Sequence, residues 1–191
     1  MTTELITEKK KLHPYQFYLW AGLGSIVMMF AGLTSAYIVK KSQANWLDFE
    51  LPNIFMVSTL VIIVSSFTIQ MAVKKFGEKN ENQYRGFMTV TAILGLLFII
   101  LQVQGFRTLE GNGIALTGAR SNSAASFLYV ITGLHLLHVL GGVLGLIGVS
   151  FKAFSANSSM ENELPVKLLS HYWHFVDILW IYLFIFLHWL G

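Results

Sequence analysis

The sequence predicts an all-α integral membrane protein, a bundle of five transmembrane helices with its N-terminus cytoplasmic and its C-terminus periplasmic. Three observations carry that expectation. Only 12% of the 191 residues are charged while 54% are hydrophobic, whereas a soluble domain carries about a quarter charged residues. Mean hydropathy is +0.60. The apolar residues fall in five blocks, each near the roughly 20 helical residues that cross a bilayer core at about 1.5 Å per residue.

Residues 1–15 form the expected cytoplasmic segment, and 16–191 a single five-helix membrane domain. The polar start contains Lys9, Lys10 and Lys11. It lacks the apolar core and small-residue cleavage site of a secretory signal, and is therefore expected to be retained. The spans are expected near Gln16–Val39, Asn53–Val73, Gly86–Phe106, Ala124–Phe151 and Leu168–Leu190, with Pro52 and Pro165 just ahead of helix starts. Polar residues gather in the connections Lys40–Leu51, Lys74–Arg85, Arg107–Ser123 and Lys152–Lys167.

Charge sets the expected orientation. With the N-terminus inside, Lys9, Lys10, Lys11, Lys74, Lys75, Lys79, Arg85, Lys152 and Lys167 are cytoplasmic, nine of the 13 Lys and Arg residues. Lys40, Lys41, Arg107 and Arg120 remain outside, which is the bias that short positive loops impose. The net charge of +3 is thus largely a topology signal, and no nucleic-acid partner is expected. The chain has no cysteine, which excludes disulfides, iron–sulfur ligation and thiolate metal sites within it. Gly141, Gly142, Gly145 and Gly148 place small residues on the fourth span, where another helix backbone is expected to approach closely.

Ionisable residues inside the spans are the most informative feature, because lipid excludes them unless they are paired or functional. His135 and His138 share a face of the fourth span through their three-residue spacing, as do His171, His174 and Asp177 on the fifth. Opposite chain directions put His138 and Asp177 both near mid-membrane, so a His–Asp contact across this helix pair is expected. His135, His138, His174 and Asp177 then form a structural polar network tying the helices together. Haem or metal ligation by paired histidines is an alternative, although His-x-x-His alone is a weak motif. A short proton relay is another. Milder donors and acceptors are Thr34, Ser35 and Tyr37 on the first span, Ser65, Ser66 and Thr68 on the second, and Gln102 and Gln104 on the third. No nucleophile–base–orienter set or phosphate-binding glycine loop is evident, so no catalytic, cofactor-binding or metal residue is assigned.

Tyr172-Trp173-His174-Phe175-Val176-Asp177 followed by Trp180 resembles the YWHFVD-x-x-W segment of the last helix of haem-copper cytochrome oxidase subunit III. Three further stretches resemble the same family in order. Phe30-Ala31-Gly32-Leu33-Thr34-Ser35-Ala36-Tyr37 matches FAGLFSAY, Ser65-Ser66-Phe67-Thr68 matches SSxT, and Thr132-Gly133-Leu134-His135-Leu136-Leu137-His138-Val139 matches TGxHxxHV. The resemblance implies an accessory subunit without redox centres in a bacterial plasma (inner) membrane. Its main contact would be oxidase subunit I, with subunit II in the same complex and membrane phospholipids around it. Haem and copper lie in those partners, cytochrome c is the indirect electron donor through the copper centre of subunit II, and dioxygen is reduced to water in subunit I. The accessory role implied is support of stability and proton uptake, with protection against turnover-induced inactivation.

Two departures limit what carries over. Longer members have seven spans, two extra N-terminal helices walling a lipid-filled cleft, and this sequence starts at the equivalent of their third; the cleft carries over only if another subunit completes it. The intramembrane Glu of the family's SExMFFAG stretch is replaced by Ile26 in Ser25-Ile26-Val27-Met28-Met29-Phe30, so no role of that carboxylate carries over. Within the family, subunit III of a quinol oxidase and a nitric-oxide-reductase-associated homologue are alternatives. Outside it stand an independent haem-binding membrane cytochrome and a small transporter.

Overall fold

In a computed structural model, residues 14–42, 46, 51–114, 122–154 and 163–190 are described. Most of the expected N-terminal segment, with Lys9, Lys10 and Lys11, lies outside the described residues, as does Arg120. Five α-helices follow in order: α1 Pro14–Lys41, α2 Asn53–Gly77, α3 Glu81–Gly111, α4 Ser123–Phe154 and α5 Leu164–Leu190. All five are long and apolar enough to cross a membrane, and the described residues contain no strand. A helix satisfies its own backbone N–H and C=O groups, which the hydrocarbon core requires of a spanning segment.

The helices outrun the apolar blocks. α3 has 31 residues, about 46 Å against a hydrocarbon core of about 30 Å. Its extra turns carry Glu81, Arg85 and Glu110, whose charge marks where the apolar block ends while the backbone stays helical. Pro52 caps the start of α2 as expected. Pro165 instead sits inside the first turn of α5, a position that needs no backbone N–H.

The α2–α3 turn is tight. Lys79 adopts a left-handed φ of 57°, its N–H bonds to the Phe76 carbonyl, and that of Asn80 to the Lys75 carbonyl. The Asn80 side chain then caps α3 by accepting from the Gln83 N–H at 3.3 Å. Lys75 donates to the Glu78 carboxylate at 2.7 Å, and that bond holds the exposed Glu78 carboxyl below its ordinary range.

α2 pairs with α3 and α5, and α4 with α3, α5 and α1; α1 packs on α4 and α5 without a close backbone approach to α2 or α3. α5 therefore lies between α1 and α2. Its end is fixed to that of α1, where Lys41 Nζ (2.6 Å) and Tyr37 Oη (3.1 Å) both donate to the Leu190 carbonyl. A cation at a helix C-terminus also complements the helix dipole. Near the opposite end, the Trp20 and His171 rings meet edge to face at 6.5 Å, so α1 and α5 run in the same direction.

Candidate functional site: a polar seam between α2 and α5

The second and fifth helices carry the densest set of interhelical hydrogen bonds. Trp173 Nε1 donates to Ser65 Oγ at 3.0 Å and Trp180 Nε1 to Thr59 Oγ1 at 2.9 Å. Ser66 Oγ lies 2.6 Å from His174 Nδ1, and His174 Nε2 lies 3.2 Å from Gln70 Oε1. An amide oxygen only accepts, so Nε2 carries the imidazole proton and Nδ1 accepts from the Ser66 hydroxyl. As α2 numbers rise α5 numbers fall, so the helices are antiparallel and one residue type answers the other rung by rung. On its other side α2 bonds to α3: Gln102 Nε2 donates to Ser58 Oγ, and the Thr68 and Thr91 hydroxyls pair, both at 2.8 Å.

The Tyr172–Trp180 stretch faces several neighbours at once. Tyr172 Oη donates to the His138 carbonyl on α4 at 2.9 Å. The Trp173 ring fills a notch made by glycines: a Cβ on Gly95 would stand 2.8 Å from it, and one on Gly142 2.9 Å. Phe175 borders α1 beside Val27 and Phe30. Val176 is buried. Trp180 stacks on His135 at 5.1 Å and meets Phe98 edge-on at 5.2 Å. α5 is thereby joined to all four other helices within nine residues, since Tyr172 to Trp180 spans little more than two turns.

These positions tie together two of the stretches singled out in the sequence, because Ser65 and Ser66 are the partners of Trp173 and His174. A model of the family described as Cytochrome c oxidase subunit III matches residues 42–191. The chain belongs to the cytochrome c oxidase subunit III family. It is 35% identical to the "Probable cytochrome c oxidase subunit 3" of Mycobacterium tuberculosis, an alignment covering 85% of this chain and 81% of that protein. Similarity to the cytochrome c oxidase subunit 3 of Thermostichus vulcanus is 32% identity, over 84% of this chain and 80% of the relative. The cytochrome bo(3) ubiquinol oxidase subunit 3 of Buchnera aphidicola is 27% identical over 98% of this chain and 90% of its own. The chain is accordingly a multi-pass membrane subunit of a haem-copper oxidase, an oxidoreductase complex.

Within this subunit III, the expected His138–Asp177 contact is not formed. His138 Nδ1 bonds to the Leu134 carbonyl of its own helix at 2.7 Å, and its ring meets Phe30 of α1 at 5.8 Å. Asp177, only 2% exposed, has neither carboxyl oxygen in a hydrogen bond within the chain. The reason is rotational: His174 and Asp177 share the α5 face turned to α2, whereas α5 meets α4 through Tyr172, Trp173 and Trp180. The four residues expected in one network are thus divided. His135 is buried with both ring nitrogens outside any hydrogen bond, and packs as an aromatic ring between Trp180, Phe98 and Phe30. His171 is exposed and bonds to the Lys167 carbonyl of its own helix.

The glycine stripe also differs from expectation. Gly142 receives the Tyr172 and Trp173 rings and Gly145 the Leu169 side chain, while Gly148 has nothing within 4 Å of an added Cβ. Gly142 and Gly145 thus admit side chains rather than a helix backbone. Ile26 packs against the core from α1 as an apolar residue. Thr59, Ser58, Gln70, Thr91 and Gly95 escaped the sequence reading; isolated polar residues on an apolar helix signal an interhelical bond only once the partner helix is known. Among the described residues, no group of three His, Cys, Asp or Glu side chains is placed to hold a metal ion.

Proposed function

We propose that the chain is the non-catalytic accessory subunit III of a proton-pumping cytochrome c oxidase, a single membrane domain in a bacterial plasma (inner) membrane with its N-terminus cytoplasmic and its C-terminus periplasmic. Haem and copper lie in partner subunits I and II, subunit I being the main contact, and electrons come from cytochrome c. The chain stabilises the complex and supports proton uptake. The observation that carries this reading is the α2–α5 seam: the hydroxyls, indoles and His174 imidazole of the family's signature stretches are committed to one another, leaving them to hold helices. Relatives named as cytochrome c oxidase subunits at 32–35% identity support the electron donor.

The Buchnera relative favours a second reading, subunit III of a quinol oxidase, since it aligns with nearly the whole chain. One experiment separates these. The tagged chain is purified from its native membrane in mild detergent, its companions are identified, and a reduced-minus-oxidised spectrum is taken. Haem in proportion to a large companion, with a copper-bearing second companion, is expected. A second companion without copper supports the quinol reading. Recovery alone with its own haem, lost on replacing His138 or His174, would overturn both in favour of an independent cytochrome.

A further inference from the structure

The start of α1 is open on every side. From Pro14 to Gly22 no residue is buried; the first buried side chain is Leu23, after which Phe30, Thr34 and Tyr37 mark the face that packs on the bundle. Within the open stretch Tyr15, Phe17, Tyr18 and Trp20 are 60–68% exposed. At about 100° of rotation per residue they point in four directions around the helix axis, with no gap wider than about 140°. A packed helix lies along one side of its neighbour, as α5 does where His171 meets the Trp20 ring edge. Only a surrounding layer meets all four rings.

The collar also stands at the level of the charged helix ends. Lys167 lies one turn before His171 on α5. On α2, Lys74 lies one turn past Gln70, whose amide meets His174, almost one turn past His171. In the other direction, the helical rise from Trp20 to Lys40 is about 30 Å, the thickness of the hydrocarbon core. A ring at Trp20 and a cation at Lys40 thus mark the two boundaries of one bilayer.

We propose that Tyr15, Phe17, Tyr18 and Trp20 form an aromatic collar that seats the start of α1 in the phosphate and ester-carbonyl layer of the membrane. Phenol O–H and indole N–H groups need acceptors that hydrocarbon lacks, while their rings are too apolar for bulk water. Phospholipid carbonyls and phosphates meet both needs, which is why Tyr and Trp gather at membrane surfaces. The lipid surface therefore holds the end of α1 that the bundle leaves open, opposite the end clamped by Lys41 and Tyr37.

Site-directed spin labelling tests it. The chain has no cysteine, so a nitroxide is placed by Tyr18→Cys or Trp20→Cys, on opposite sides of the helix, with Met28→Cys about 12 Å deeper as reference. Each oxidase is reconstituted into phosphatidylcholine–phosphatidylglycerol liposomes, and the signal of the same complex with the unaltered chain is subtracted. Power saturation is measured with dioxygen, which concentrates in lipid, and with a polar nickel chelate, which stays in water. The expected result is access of both reagents to positions 18 and 20 and exclusion of the chelate from position 28. A label at 18 or 20 that is immobile and closed to both reagents would overturn the proposal in favour of a protein cover. Dioxygen alone there would put the rings in hydrocarbon and the chelate alone in bulk water, and either would overturn it as well. With Tyr18 and Trp20 both replaced by Leu, the ratio of the two accessibilities at a label on Phe17→Cys should change at least twofold. If that variant does not assemble, the same ratio is read in Tyr18→Leu alone. An unchanged ratio would overturn the anchoring role.

Discussion

Trp173 shows how much rests on single side chains in this fold. Its indole N–H is answered by Ser65 and its ring occupies the space left by Gly95 and Gly142. Gly142→Ala is expected to cost about 1–3 kcal/mol through overpacking against the ring, read as a lower thermal midpoint of the purified complex; a midpoint unchanged within error would show that the ring has room to move. Ile26→Glu places a carboxyl where α1 packs on apolar neighbours, and should sharply reduce the amount of assembled chain, since an unpaired carboxyl in lipid costs several kcal/mol. Normal yield of that variant, measured by quantitative blotting of membranes, would reveal a polar pocket ready for it. The importance of the Tyr172–Trp180 stretch was legible in its sequence; the division of labour within it was not, because which way Asp177 faces depends on the rotation of α5, and three-residue spacing leaves that free.

At the scale of the elements, α2 is the polar spine: it bonds to α3 through Ser58 and Thr68 and to α5 through Thr59, Ser65 and Ser66. A double-mutant cycle of Ser65→Ala and Trp173→Phe should give a coupling of about 0.5–1.5 kcal/mol, the usual range for an interhelical hydrogen bond. A coupling near zero would mean the bond only accompanies the ring packing. α1 is the element held least: apart from α4 it has α5, and its C-terminal end is tied by Lys41 and Tyr37 to the Leu190 carbonyl. Lys41→Met combined with Tyr37→Phe is expected to raise protease cleavage between α1 and α2 several-fold, while cleavage between α2 and α3 stays as it was. The five helices were legible in the sequence because apolar blocks of that length have one solution in lipid. Their ends were not, since helices continue past the hydrocarbon layer wherever charged residues keep good helix propensity, as at Glu81–Arg85.

For the whole molecule, the internal contacts hold five helices in one arrangement, and the chain belongs to the subunit III family of an oxidase complex. The glycine notches, the indole bonds and the terminal clamp all stabilise relative helix position, and the Asp177 carboxyl is buried at the middle of α5. Replacement of Asp177 by Leu is expected to weaken retention of the chain in the complex more than it slows turnover of complexes that retain it. A fully assembled variant with normal thermal stability and lost proton uptake would assign Asp177 a direct part in proton transfer.

We propose that the intramembrane histidines of this chain are structural. It is tested most directly by purifying the oxidase with His135, His138 and His174 replaced one at a time by Phe, Leu and Gln, and measuring haem per complex together with the thermal midpoint. Unchanged haem per complex and an unshifted reduced-minus-oxidised spectrum are expected, with the midpoint lowered most by loss of the buried His135 or of the His174–Ser66 bond. Loss of one haem equivalent, or a shifted haem band, in any assembled variant would contradict it and make that histidine a ligand.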